Sequence, residues 1–177
     1  MTMSGLRRTV ALVGMMGAGK SSVGRRLASR LEVQFRDADS EIEAAAGCAI
    51  SEIFDRFGEQ AFRDGERRVI ERLLQGPPLV LATGGGAFVD PATRARLKEN
   101  AVTVWIKAPV GVLLARVKRR DNRPLLRDGD PRETLERLLR ERTPIYTEAE
   151  IAVESDEGPH SHAVDRIVAA LKQRQLI

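Results

Sequence analysis

Along this chain, short unbroken apolar runs alternate with segments whose apolar residues recur every three or four positions. The runs at 9–13, 79–82, 102–106 and 151–153 predict strands, and Val33-Gln34-Phe35-Arg36 reads as a further short one. The first periodic segment begins at Gly19 and carries Val23, Leu27 and Leu31 on one face, with Arg25, Arg26 and Arg30 elsewhere, which predicts a helix. Further helices are predicted over 41–46, stopped by Gly47, and from Ser51 to a stop at Gly58. A longer helix carries Phe62, Val69 and Leu73 and ends at Gly76-Pro77-Pro78. Asp90-Pro91 and Asp130-Pro131 each cap and open a helix, the first running to about Glu99 and the second striped by Leu135, Leu138 and Leu139 up to Pro144-Ile145-Tyr146. A short helix is predicted over 110–117, and a closing one buries Val164, Ile167, Val168 and Leu171. Strands alternating with helices predict an α/β fold, and the continuous run 79–82 reads as a buried parallel strand.

Composition narrows the classes. A chain of 177 residues, 42% hydrophobic and 31% charged, predicts one globular domain with a substantial core. No stretch approaches the length of a continuous apolar membrane span, and residues 1–8 lack the apolar centre of a signal peptide, so a cytoplasmic location is expected. The single cysteine, Cys48, permits no internal disulfide and suits a reducing compartment. Lys and Arg exceed Asp and Glu by 29 to 25, a net charge of +4. With one Trp, one Tyr and five Phe there are few rings to stack on bases, so anionic small substrates explain the basic balance better than nucleic acid.

The candidate chemistry starts after the first strand. Gly14-Met15-Met16-Gly17-Ala18-Gly19-Lys20-Ser21 matches the phosphate-binding pattern GxxxxGK[ST], between an apolar strand and a helix as that pattern requires. Its glycines let backbone N–H groups converge on phosphate oxygens, Lys20 reaches the β- and γ-phosphates, and the Ser21 hydroxyl is a ligand for Mg²⁺. Asp37 and Asp39 stand at the carboxyl end of the second strand, where α/β folds bind ligands. Asp37 is the candidate for Mg²⁺ and Asp39 for substrate hydroxyls; the plainer reading makes Asp39 or Ser40 a helix cap, with Ser40 and Glu43 forming a capping box. Arg63 lies near Phe54, Phe57 and Phe62, a setting in which a guanidinium can grip a carboxylate bidentately. Gly84-Gly85-Gly86 ends the third strand and offers bare backbone to a closely approaching ligand. Residues 119–130 form a polar, arginine-bearing loop suited to closing over ATP. His160 and His162, with no further ligand nearby, read as exposed and not metal-binding.

Taken together, Gly14 to Ser21, Asp37-Ala38-Asp39, Phe62-Arg63, Gly84-Gly85-Gly86, Arg123-Pro124-Leu125-Leu126 and Arg142 before Pro144-Ile145-Tyr146 resemble the shikimate kinases, over about residues 10–171. The resemblance implies a P-loop kinase fold related to nucleoside monophosphate kinases: a single α/β domain, a three-layer sandwich with a five-stranded parallel sheet flanked by helices. It implies a substrate-binding region at about 37–66, a lid at about 118–130, and a cytoplasmic monomer. The implied reaction is ATP-dependent phosphorylation of the shikimate 3-hydroxyl with Mg²⁺. By that resemblance ATP meets Gly14 to Ser21, Ser22, Arg116, Arg123 and Pro159, with Arg116 and Pro159 flanking adenine. Ser21 and Asp37 serve the metal. Shikimate meets Asp39, Phe54, Phe62, Arg63, Gly84, Gly85, Gly86 and Arg142, the two arginines clamping its carboxylate. Lys20, Asp39 and Arg123 carry the catalytic roles.

Other acceptors fit parts of this pattern. Gluconate is also a polyhydroxy carboxylate, and nucleoside monophosphate kinases share the build. Asp55-Arg56-Phe57-Gly58 matches the DxxG of nucleotide-dependent switches, but it is not at a strand end and no guanine-reading [NT]KxD follows.

Overall fold

A computed structural model describes residues 5–119, 129–156 and 158–177. Five parallel strands, β1 (Thr9–Val13), β2 (Phe35–Asp37), β3 (Val80–Ala82), β4 (Ala101–Lys107) and β5 (Ile151–Glu154), form one sheet in the order β2-β3-β1-β4-β5. Seven helices accompany them: α1 (Lys20–Leu31), α2 (Ala38–Ala46), α3 (Ile50–Leu74), α4 (Pro91–Asn100), α5 (Val110–Val117), α6 (Pro131–Tyr146) and α7 (His160–Gln173).

Every residue of β1 and β3 is buried, because helices cover both faces of a parallel sheet and leave no polar side to its central strands. Val10, Leu12, Val80 and Leu81 are fully buried at the centre of a core that runs from Leu6 to Leu171. Each such side chain contributes about 1.5–3 kcal/mol relative to exposure. α1 buries Val23, Gly24, Leu27 and Ala28 and turns Arg25, Arg26 and Arg30 outward, as its periodicity predicts. Gly24 is required here, since a Cβ would stand 2.6 Å from Cε2 of Phe35 on β2.

Asp90 and Asp130 cap α4 and α6 as expected, accepting from the N–H groups of Thr93 and Arg132, with Pro91 and Pro131 in the first turns. The start of α2 differs from expectation. The helix begins at Ala38, and its cap is Asp37, whose Oδ1 accepts from the N–H groups of Asp39 (3.0 Å) and Ser40 (3.3 Å). Neither Asp39 nor Ser40 is the cap, and Glu43 closes no capping box. Its Oε2 instead accepts from the Ile50 N–H at 3.1 Å, tying α2 to the start of α3. The two helices expected on either side of Gly58 are present as the two arms of α3, which meet at a kink where that residue's φ 84° and ψ 173° interrupt the helix.

A second, smaller core of Ile42, Ile53, Phe62 and Val69, with Cys48, Ile50 and Phe54 packed against it, joins α2 to α3. It fixes the face of α3 from which Arg63 projects. Among the described residues, no helix is long and apolar enough to cross a membrane.

Candidate active site

The carboxyl ends of β1, β2 and β3 open into a cavity of about 510 Å³ lined by the phosphate-binding loop, Asp37, Asp39 and Gly84-Gly85. The loop between β1 and α1 turns on Gly14 (φ 142°), Gly17 (φ 80°) and Gly19 (φ 95°), conformations that a side chain would strain. Gly14 also abuts β4, where a Cβ would come within 2.7 Å of the Ile106 carbonyl. Met15, Met16 and Ala18 are buried and anchor the loop. Gly19 caps α1 without a side chain, so the helix presents its first N–H groups to the cavity.

Lys20 is buried and folds over the loop, its Nζ donating to the carbonyls of Gly14 (2.6 Å) and Met15 (2.9 Å). Ser21 Oγ donates to Asp37 Oδ2 at 2.6 Å, while the other carboxylate oxygen caps α2. Asp37 thus presents one oxygen beside a hydroxyl at the cavity wall. Hard oxygen donors of this kind, few in number, suit Mg²⁺, which keeps waters and takes its remaining ligands from phosphate. Among the described residues no cluster of three or more His, Cys, Asp or Glu side chains offers a fuller protein cage. Ser22 also lines the cavity.

Opposite the loop, the glycine turn after β3 gathers four charged side chains. A Cβ on Gly84 would stand 2.9 Å from Asp39 Oδ1 and 3.0 Å from Glu66 Oε2, and one on Gly86 would collide with the Arg63 guanidinium. The Gly85 carbonyl accepts from Arg142 Nη1 at 3.0 Å and from the Tyr146 hydroxyl at 2.6 Å. Asp39, Arg63 and Arg142, widely spaced in sequence, therefore meet at one turn. Arg63 lies 5.0 Å from the Phe62 ring centroid, and Phe62 packs on Phe54 at 4.8 Å. Phe57 is exposed and does not join that pair.

Three residues of the site escape the sequence reading. Glu66 is fully buried and its Oε1 accepts from Arg63 Nη1 at 2.8 Å, while Oε2 has no hydrogen-bond partner among the described residues. Burial raises its carboxyl above the usual carboxylate range; Arg63 opposes this, and Asp39 and Asp90 add to it. Its i, i+3 spacing from Arg63 is the sequence signal that could have found it. Tyr146 carries only its place in a motif. His160 corrects an expectation: it is half-buried, not exposed, and its ring packs against Gly19 at the cavity wall. Burial and the charges of Arg116 and Arg26 lower its pKa. His162 is exposed as expected.

Arg116 lies between the phosphate loop and the segment after β5, donating to the carbonyls of Gly17 (3.2 Å) and Asp156 (3.0 Å). Burial and the neighbouring Arg119 lower its pKa, against the pull of Asp156. Pro159 caps α7 beside this segment. Arg123 and residues 120–128 of the expected lid lie outside the described residues.

A family model for shikimate kinase matches residues 16–172. A shikimate kinase of Caulobacter vibrioides (strain NA1000 / CB15N) is 60% identical over 166 residues, covering 94% of this chain and 83% of that one. One of Paramagnetospirillum magneticum is 60% identical over 164 residues, covering 93% and 84%. The solved shikimate kinase from Acinetobacter baumannii in complex with shikimate superposes with a TM-score of 0.92 at 39% identity, covering 96% of each chain. A gluconokinase from Sinorhizobium meliloti 1021 shares the fold, with a TM-score of 0.63 at 18% identity over 96% of this chain and 94% of that one.

Proposed function

This chain belongs to the shikimate kinase family and phosphorylates shikimate with ATP, and from that premise we propose how its residues divide the work between donor and acceptor. The observation that carries the assignment is the convergence of Asp39, Arg63 and Arg142 on the Gly84–Gly86 turn, across the cavity from Lys20.

On the donor side, the N–H groups of residues 14–19 and the start of α1 cradle the phosphates of ATP. Lys20 leaves the loop carbonyls to meet the transferring phosphoryl group, where its charge acts most strongly as negative charge redistributes. Ser21 and Asp37 hold Mg²⁺, which when bound neutralises phosphate charge. Ser22 lines the phosphate pocket, and Arg116 and Pro159 flank the adenine. Arg123 closes from the lid onto the phosphates.

On the acceptor side, Arg63 and Arg142 clamp the carboxylate of shikimate, each charge-assisted contact contributing about 1.5–3 kcal/mol. The Phe54–Phe62 pair walls one side and keeps the Arg63 guanidinium partly dry. Gly84, Gly85 and Gly86 let the ring approach backbone closely. Asp39 accepts hydrogen bonds from the hydroxyls and takes the proton of the 3-hydroxyl as that oxygen attacks the γ-phosphorus; the bond to the ADP oxygen breaks, giving shikimate 3-phosphate and ADP. The lone Cys48 suits a reducing compartment, and we place the reaction in the cytoplasm.

The test is ADP release from Mg·ATP with shikimate, gluconate, AMP or no acceptor, run in parallel. Release with shikimate alone is expected. Release only with another acceptor would leave the phosphate-loop roles standing and remove those given to Asp39, Arg63 and Arg142.

A further inference from the structure

The Gly85 carbonyl holds two donors with different prospects. One is Arg142 Nη1 at 3.0 Å, on a residue that the reading above assigns to the substrate carboxylate; the other is the Tyr146 hydroxyl at 2.6 Å. Both donors come from the last two turns of α6. Tyr146, the chain's single tyrosine, is fully buried, stacked on Trp105 at 5.7 Å and Phe88 at 6.4 Å between ring centroids. A ring so enclosed has nowhere to turn, so its hydroxyl has a fixed direction. Burial raises its pKa, against the charge of Arg142, a side-chain hydrogen bond with Arg142 and the charge of Arg63, and keeps the hydroxyl a donor.

Gly85 is where the two halves of the site touch. A Cβ there would stand 3.3 Å from the Met16 N–H nitrogen of the phosphate loop. The peptide that follows is planar and trans, so pinning the Gly85 carbonyl toward α6 also fixes the Gly86 N–H in the opposite direction. When a carboxylate takes Arg142, one of the two struts is withdrawn.

We propose that Tyr146 is a positioning residue for shikimate binding: its hydroxyl holds the Gly85 carbonyl so that Arg142 can exchange that carbonyl for the substrate carboxylate without releasing the glycine turn. This rests on the assignment of Arg142 to the carboxylate. Without the hydroxyl, Arg142 is the remaining donor of the pair, and each substrate molecule must compete with Gly85 for it.

Steady-state kinetics of Tyr146→Phe, Arg142→Lys and the double variant test the proposal. Tyr146→Phe keeps the ring and its stacking, and is expected to raise the shikimate KM about five- to twentyfold, with the ATP KM and kcat within about threefold. In the Arg142→Lys background the same change is expected to add less than about twofold, because it acts through Arg142. An equal effect in both backgrounds, or matching rises in both KM values, would reduce Tyr146 to a packing residue and overturn the proposal. An unchanged shikimate KM in Arg142→Lys would overturn the carboxylate assignment itself. Should Tyr146→Phe not fold, the unaltered protein still decides: its single tyrosine makes the ultraviolet resonance Raman doublet assignable. Saturation with shikimate is expected to change that doublet as Arg142 departs, and an unchanged doublet would refute the exchange.

Discussion

Ser21 and Asp37 face each other at the mouth of the phosphate loop, the hydroxyl donating to Asp37 Oδ2 at 2.6 Å while Asp37 Oδ1 caps α2. One carboxylate therefore serves a helix and the proposed metal position together. Substitutions can separate the two duties. Asp37→Asn keeps a good capping side chain and is expected to leave the melting temperature nearly unchanged, whereas Asp37→Ala costs about 1 kcal/mol of stability. Both are expected to raise the Mg²⁺ concentration needed for half-maximal activity by about tenfold or more, since each removes the anionic oxygen. A magnesium titration of the Asn variant that overlays the unaltered enzyme would remove Asp37 from the metal.

Lys20 is held at the cavity by two loop carbonyls, which place its charge beside the proposed phosphate position. Lys20→Met is expected to lower kcat about a hundredfold or more, the cost of losing a charge that acts on the transition state. Single-turnover quench kinetics separate this from slow product release. Normal turnover would mean that the loop binds phosphate without taking part in transfer.

Arg63 and Gly86 make a paired prediction. Arg63→Ala is expected to raise the shikimate KM about tenfold or more with the ATP KM little changed. Gly86→Ala places a methyl group against the same guanidinium and should reproduce that pattern without replacing any charged residue. Wild-type shikimate kinetics in Gly86→Ala would show that Arg63 does not work from its observed position.

Glu66 yields a pH dependence of stability. Its folded-state pKa lies above the ordinary 4.5, chiefly through burial. A group raised in this way contributes stability that is fully present below the unfolded value and is lost as the pH climbs through the folded value. Glu66→Gln has no charge to bury. Its stability relative to the unaltered protein is therefore expected to rise from about pH 4.5 toward neutrality, read from urea unfolding at each pH. A constant or falling difference would mean that the Arg63 pairing outweighs desolvation.

Much of this architecture is legible in the residues. Apolar runs located β1, β3 and β4 because a strand covered on both faces has no polar side to confuse its pattern, while the outer strands β2 and β5 keep exposed positions and were located by shorter segments. Asp90-Pro91 and Asp130-Pro131 marked two helix starts because capping is a local event. The start of α2 was misplaced for a related reason: Asp37, Asp39 and Ser40 are all competent caps, and the end of β2 at Asp37 decides among them. Gly58 marked a helix end correctly, because glycine tolerates the positive φ that interrupts α3 there, and Ile53 before the kink and Phe62 and Val69 beyond it share the small core.

The phosphate loop was determined by sequence alone, since eight consecutive residues contain the glycines, the lysine and the hydroxyl whose backbone geometry makes the site. The acceptor half was only nameable. Asp39, Arg63, Arg142 and the glycine turn come from four separate segments, and the order of strands in the sheet brings them together. Burial of Glu66 beside Arg63, packing of His160 on Gly19 and the sharing of one carbonyl by Arg142 and Tyr146 were decided by the tertiary structure. Local chemistry can be read along the chain; which distant groups share a cavity, and which of them lose their water, is set only when the elements pack.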